Sequence, residues 1–495
     1  MLSSFAYKGG NRVALFFMIF GSVCLPLILV ATNGSIVVGV AFLAVLLVVL
    51  VTLYRLDWGF NLFIAAVLLS DNYNIPGFEP LTFKAGYLLT LNVLVPGLGV
   101  GALTPMEIHL LFLVLVWALH MALNKQIRPR PVSFGIPAIL FFIWIGVATV
   151  YGIVTGGDKM KSIWEIRGSL YLGIVCFFVS QVITTRKQLT TLVWICIGSM
   201  AVKASQAADR FIELGFSMGT FRALAAHEDP IILVTLFILL VGFMSFGCHS
   251  GQKRALVWLL LPMTIGFYAA NRRAGYIAFL FCILAFIVLL PPKIQSRAIK
   301  VAIVCAVLFA AYLRIYWNDY GRIAQFAQAV KSAVSTDYQD MRREDYLSGL
   351  ARDQENYNLA MTLRRQPLGL GFGKQHDWII MNYGEFSMKG YITHNQILWL
   401  LVKSGPIGFF LFLFFMNSVL FHGSMGFTKM RDPYLMAVLA MCILAIPNQI
   451  IATYVDMGFH RFRSMTYLGL LIGLIPVIKS FGESVPSAEA GMKNG

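Results

Sequence analysis

Apolar runs of about twenty residues recur along nearly the whole chain, and they decide what it can fold into. A run of that length crosses the roughly 30 Å hydrocarbon core of a bilayer as a helix, which satisfies its backbone hydrogen bonds internally. The alternating ten-residue segments of a membrane barrel are not seen in the sequence. Fourteen spans are expected, over residues 13–31, 35–54, 58–70, 105–123, 134–154, 168–184, 189–205, 230–247, 255–270, 274–290, 298–316, 395–420, 433–453 and 464–480. The third is short, and 81–103 reads as re-entrant. The expected fold is an all-α polytopic integral membrane protein with about 12–14 transmembrane helices and one large outer loop. The first span is longer than the apolar core of a secretory signal and reads as retained.

Lys and Arg in short loops set the orientation. With a cytoplasmic N-terminus, Arg55, the Lys125/Arg128/Arg130 group, Arg186 with Lys187, Lys253 with Arg254, Lys293/Arg297/Lys300, and Lys429 with Arg431 all fall inside. The C-terminus then also lies inside. The net charge of +16 mostly reflects these ends, where it meets anionic headgroups. It is not a nucleic-acid footprint, since no basic stripe is interleaved with stacking aromatics. Of the seven cysteines, all but Cys248 fall within expected spans, so no disulfide framework follows.

The chain divides into N-terminal spans (1–205), spans with outer arginine motifs (206–316), a large outer loop (317–393), C-terminal spans (394–480) and a cytoplasmic tail (481–495) expected to be disordered. The outer loop's nine basic and nine acidic residues cancel, so it is no polybasic anchor. Within it, Tyr346, Leu350, Tyr357 and Met361 recur at helical spacing, which predicts an amphipathic helix capping the outer surface and ending at Pro367.

Candidate chemistry gathers on the outer side. The spans beginning near 230, 274 and 395 all present their N-termini there, with free N–H groups and the positive end of the helix dipole. "FRALAAHEDP" (221–230) precedes the first, carrying Arg222, His227, Glu228 and Asp229. Asp229 before Pro230 also suits a helix cap. Three adjacent residues do not easily ligate one ion, and no metal is expected. "NRRAG" (271–275) breaks the charge rule, because Arg272 and Arg273 stand in a tight outer hairpin. Headgroup snorkelling would explain one exposed arginine, whereas guanidinium groups beside a helix N-terminus make an anion site. Arg352 lies fifteen residues before Pro367, which opens "PLGLGFG" (367–373). That turn lacks the spacing of a nucleotide phosphate loop and reads as a tight return to the membrane. His394 opens "HNQILWLLVKSGPIG" (394–408), with Asn395 able to cap the helix and Gly405, Pro406 and Gly408 further in. Arg461 and Arg463 in "DMGFHRFRSM" (456–465) rank below these. Lys403 lies roughly 12 Å into its span and needs a partner or a water-filled cavity.

Together, Arg273 in "NRRAG", Arg352 ahead of "PLGLGFG", and "HNQILWLLVKSGPIG" resemble the O-antigen ligase and polymerase superfamily of bacterial membrane glycan-assembly proteins. The resemblance covers about residues 220–475, with a doubled arginine hairpin and Lys403-Ser404 as departures. It implies transfer of an undecaprenyl-diphosphate-linked glycan to a hydroxyl acceptor at the periplasmic face of the bacterial inner membrane, with no cofactor and no metal. The acceptor is a second lipid-linked glycan for a polysaccharide repeat-unit polymerase. For a ligase it is lipid A-core or a protein. His394, Arg352 and Arg273 are then the expected catalytic residues, with His394 either removing the acceptor proton or orienting the hydroxyl. Arg222, Arg272, Asn395 and Arg461 are expected to bind the diphosphate or substrate. A lipid-linked oligosaccharide flippase is the main rival, but such transporters are expected to show repeat halves and ionisable residues near the midplane. Here the ionisable residues collect at the outer interface.

Overall fold

The computed structural model describes residues 20–27, 30, 36–71, 81–94, 103–123, 129–130, 132, 134–216, 223–319, 321, 324–334, 343–381 and 388–483. The helices run in the order α1 (Ile36–Tyr54), α2 (Leu56–Leu69), α3 (Pro105–Leu123), α4 (Gly135–Val154), α5 (Lys159–Val182), α6 (Arg186–Glu213), α7 (Asp229–Ser245) and α8 (Gly251–Trp258). They continue with α9 (Leu260–Ala269), α10 (Arg273–Leu289), α11 (Pro292–Tyr316), α12 (Gln325–Val334), α13 (Arg343–Arg365), α14 (Gln396–Lys429), α15 (Pro433–Val455) and α16 (Phe462–Glu483). There is no strand among the described residues, and the chain is an all-helical polytopic membrane protein. Eight of these helices, α3 to α6, α11, α14, α15 and α16, are long and apolar enough to cross a membrane, and five more apolar helices are shorter.

Most spans fall where the hydropathy puts them, and three differ for identifiable reasons. The single span expected over 255–270 is two helices, α8 and α9, because Pro262 has no N–H to give the carbonyl of Trp258. α5 begins at Lys159, nine residues before the expected span, since its polar first turns are buried: Ser162, Glu165 and Arg167 are each under 5% exposed. α14 extends to Lys429 and is broken at Gly405. Most of the 13–31 span and nearly all of the tail lie outside the described residues. Within 81–103 the described chain forms only two single turns, Leu81–Lys84 and Leu91–Leu94.

The chain forms two compact units. The first comprises Met1–Asn74, Glu79–Arg130 and Gln181–Ser199. There α2 buries Phe60, Phe63, Ile64, Val67 and Leu68, and α3 opens on a capping box in which Glu107 accepts from Thr104 N at 2.8 Å while Thr104 Oγ1 accepts from Glu107 N at 3.2 Å.

The second unit holds every described candidate residue. Its centre is α15, packed against α7, α10, α14 and α16, and apolar on nearly all sides. α13 corrects the expected amphipathic pattern: Tyr357 is 46% exposed and Leu350 36%, whereas Glu355, Asn358 and Thr362 are buried beside Leu359. The buried face is polar because it satisfies backbone that would otherwise go unpaired. Asn358 accepts from the N–H groups of Ile379 and Ile380 at 3.1 and 2.9 Å and donates to Ile380 O at 2.8 Å. Thr362 Oγ1 accepts from Asp377 N at 2.9 Å.

The glycine-rich turn is wedged between α4, α5 and the break in α14. Gly405 adopts φ 70° and ψ 178°, which opens the helix ladder. The released carbonyls of Val402, Lys403 and Ser404 accept from Leu370 N (2.7 Å), Gly371 N (3.0 Å) and Trp144 Nε1 (2.8 Å). On the opposite side Gly371 lies against the backbone of Gly152, where no Cβ fits. A tight return to the membrane is therefore the role of these glycines.

Candidate active site

Four segments of the second unit converge: the turn before α7, the hairpin before α10, α13, and the 456–461 turn joining α15 to α16. His227, from the first, stands between two guanidinium groups. Arg272 Nη2 bonds its Nε2, and Arg461 Nη2 lies 2.9 Å from its Nδ1. Asp456 closes the group, 3.3 Å from His227 Nδ1 through Oδ2 and 3.1 Å from Arg461 Nη2 through Oδ1. Beneath it Glu228 lies 3.7 Å from Arg461 and 3.8 Å from Arg463, and Asp229 accepts from Arg463 at 2.7 Å with Lys203 at 3.9 Å. Asp229 is the first residue of α7 ahead of Pro230 rather than its cap, which is Glu228 with no side-chain cap bond; the Asp229 carboxylate instead accepts from Ala226 N at 3.0 Å and anchors Arg463.

The electrostatics follow from this crowding. Burial, with the charges of Arg461 and Arg272, keeps the His227 imidazole below its ordinary range despite its hydrogen bond to Asp456. Burial lowers Arg272 to about 10, with the positive charges of Arg461 and Arg352 adding and Asp456 and Glu228 opposing. It remains a cation at neutral pH. Burial alone would raise Asp456, but Arg461, His227 and Arg272 hold it well below the usual carboxylate range. The charge of Arg352 is among those that lower Arg272.

One turn along α13 from Arg352, Glu355 meets His394. The backbone N–H of His394 donates to Glu355 Oε2 at 2.9 Å, and ring Nδ1 lies 3.0 and 3.1 Å from the two carboxylate oxygens. Asn395 caps α14, its side chain accepting from Leu398 N at 3.1 Å. Gln396 Oε1 accepts from His460 N at 3.0 Å, tying the start of α14 to the residue beside Arg461. The histidine and the guanidinium cluster are thus neighbours through α13 on one side and through Gln396 on the other.

Of the expected site residues, Arg272, Arg352, Arg461, His394 and Asn395 come together in this way. Arg273 heads α10, and it is Arg272 that reaches His227. Arg222 lies outside the described residues. Glu355 and Asp456 were not singled out from the sequence. Glu355 carried a legible signal, since it stands three residues after Arg352 and so on the same helix face. Lys403 finds a partner in Glu165, 2.6 Å away with both side chains fully buried, while Glu165 also accepts from Gly373 N and Lys403 donates to Lys374 O.

Among the described residues no group of three His, Cys, Asp or Glu is placed to hold a metal ion. What the cluster offers is an array of fixed cations beside a histidine already engaged by a carboxylate, which suits an anionic group leaving as a hydroxyl is deprotonated. No curated protein matches the chain. Residues 256–413, which include the arginine hairpin, α13, the glycine turn and the first half of α14, match the family model described as O-antigen ligase.

Proposed function

We propose that the protein transfers a glycan from a polyprenyl diphosphate carrier to a hydroxyl acceptor at the outer face of a bacterial inner membrane. The observation that carries this reading is the placement of Arg272 and Arg461 on either side of His227, with Arg352 one helical turn from the Glu355 that holds His394. The acceptor oxygen attacks the anomeric carbon, the bond from that carbon to the phosphate oxygen breaks, and the diphosphate leaves with the bonding electrons. Guanidinium groups stabilise the charge that gathers on it, in a site where burial strengthens each contact. The acceptor proton passes to the His394 imidazole. The donor's glycosyl–phosphate bond is exchanged for a glycosidic bond to the acceptor, and the diphosphate left behind bears the charge that the guanidinium groups stabilise.

A repeat-unit polymerase, with a second lipid-linked glycan as acceptor, is the reading preferred on the divergent doubled-arginine hairpin. Ligation to lipid A-core is the second reading, favoured by the description of the matching family. Mass spectrometry of lipid-linked and polymeric glycans in a deletion strain complemented with wild type, His394→Ala or Arg352→Ala separates them. Single repeat units accumulating on lipid support the polymerase, and long chains stranded on the carrier support the ligase. Glycans normal in both point variants but lost in the deletion would leave a transporter.

A further inference from the structure

Glu355 has no part in the reaction as written above. We propose that it is the positioning residue for His394, fixing the imidazole with Nδ1 protonated so that Nε2 is presented to the acceptor hydroxyl. This deepens the proposed function and rests on His394 meeting that hydroxyl.

The argument starts from donors and acceptors. An ionised carboxylate only accepts hydrogen bonds, so a ring nitrogen within 3.0–3.1 Å of both its oxygens must bring the hydrogen. That nitrogen is Nδ1, which leaves Nε2 as the basic position of the neutral ring. Glu355 also takes the backbone N–H of His394 at 2.9 Å, so main chain and ring are pinned by one group and the side-chain torsions have little freedom. Glu355 itself is 2% exposed, whereas the His394 side chain keeps 27% of its surface, as a group that must meet a substrate requires.

The helix adds a second constraint. Arg352 and Glu355 share one turn of α13, and Arg352 acts on Arg272 in the guanidinium cluster. One rigid element therefore spaces the group that receives the proton from the groups that receive the leaving diphosphate. A purely structural role, holding the 388–394 segment to α13, would be met by any acceptor of similar shape. Glu355→Gln keeps such an acceptor and removes the charge.

The test uses the full chain in lipid nanodiscs, labelled with ¹⁵N-histidine, with His394→Ala identifying the His394 ring signals. At mildly alkaline pH the wild type should show the Nδ1–H pattern, and Glu355→Ala should shift it toward Nε2–H. With lipid-diphosphate-linked glycan extracted from the producing cells as donor, Glu355→Gln should lose about 10²- to 10³-fold in turnover and leave donor KM within about twofold. The double variant Glu355→Gln/His394→Ala should be no slower than His394→Ala alone. An Nε2–H pattern in the wild type, a tautomer unchanged in Glu355→Ala, or multiplying losses in the double variant would each overturn the proposal. The tautomer is read without any substrate, so failure of the transfer reaction itself would show separately, as wild-type turnover in His394→Ala.

Discussion

Arg272 bonds His227 at Nε2 while Arg461 approaches the same ring at Nδ1, so one uncharged imidazole separates two like charges. With Asp456 held ionised beside them, the guanidinium groups are fixed apart before any anion arrives. Such preset spacing spares the site reorganisation during the reaction.

This geometry ranks the two hairpin arginines. Arg272→Ala should lower kcat/KM at least about 100-fold, and Arg272→Lys should recover little, because an ammonium cannot reproduce the planar donor fork. Arg273→Ala should cost less than about tenfold. Initial rates of donor consumption by the three purified variants decide it, and equal losses in Arg272→Ala and Arg273→Ala would refute the ranking.

The Glu165–Lys403 pair should behave as a buried ion pair. Lys403→Met leaves an uncompensated carboxylate and should destabilise the fold by about 3–5 kcal/mol, while joint replacement, Glu165→Gln with Lys403→Met, should recover much of the loss. Thermal melts of the detergent-solubilised variants read both effects. A double variant as unstable as Lys403→Met alone would rule out the charge argument.

Acid should weaken the second unit through His376. Burial and then the charge of Lys403 push this ring to about 4, against the opposing Glu355, Asp377 and its contact with Gly390. A histidine depressed in the folded state adds stability in full above its unfolded value near 6.5, and the contribution is lost as pH falls toward 4. The ceiling is about 3 kcal/mol. His460, also held near 4 by burial, acts in the same direction. His376→Phe, which can keep the stacking on Trp378, should flatten the fall in melting temperature between these limits. An unchanged pH slope would exclude His376 as a contributor.

Gly405→Ala should be poorly tolerated despite being a single methyl. Its φ of 70° disfavours any side chain, and the added Cβ would strike the Leu368 carbonyl. Expression of folded protein, followed by size-exclusion chromatography in detergent, should show a clear loss, while Gly198→Ala, where no atom lies near a new Cβ, should not.

Hydropathy makes the helices legible because crossing a bilayer tolerates few polar residues. Where a polar residue is buried, the same rule misleads: Glu165 reads as lying outside its span, and α13 reads as apolar on the face that Tyr357 leaves exposed. His394 and the arginine hairpin stand out by their placement at helix starts and by the break in the charge rule, whereas Arg352, inside α13, stands out only through the family resemblance. Their partners are harder to read: Glu355 shows only its shared helix face with Arg352, and Asp456 acquires meaning from His227, 229 positions away. That Arg272 reaches His227 likewise depends on where the hairpin turns, and Asn271 before it adopts a positive φ of 48°.

The Glu165–Lys403 contact also has a history in time. The two residues lie 238 positions apart, so Glu165 emerges from the ribosome long before the lysine that will neutralise it. At about 5–20 residues per second, it waits on the order of ten seconds or more without that partner. α5 is therefore incompletely matched to the bilayer until α14 arrives and the 369–373 turn threads between them. Chains truncated before Lys403 would retain an acid with no lysine to neutralise it.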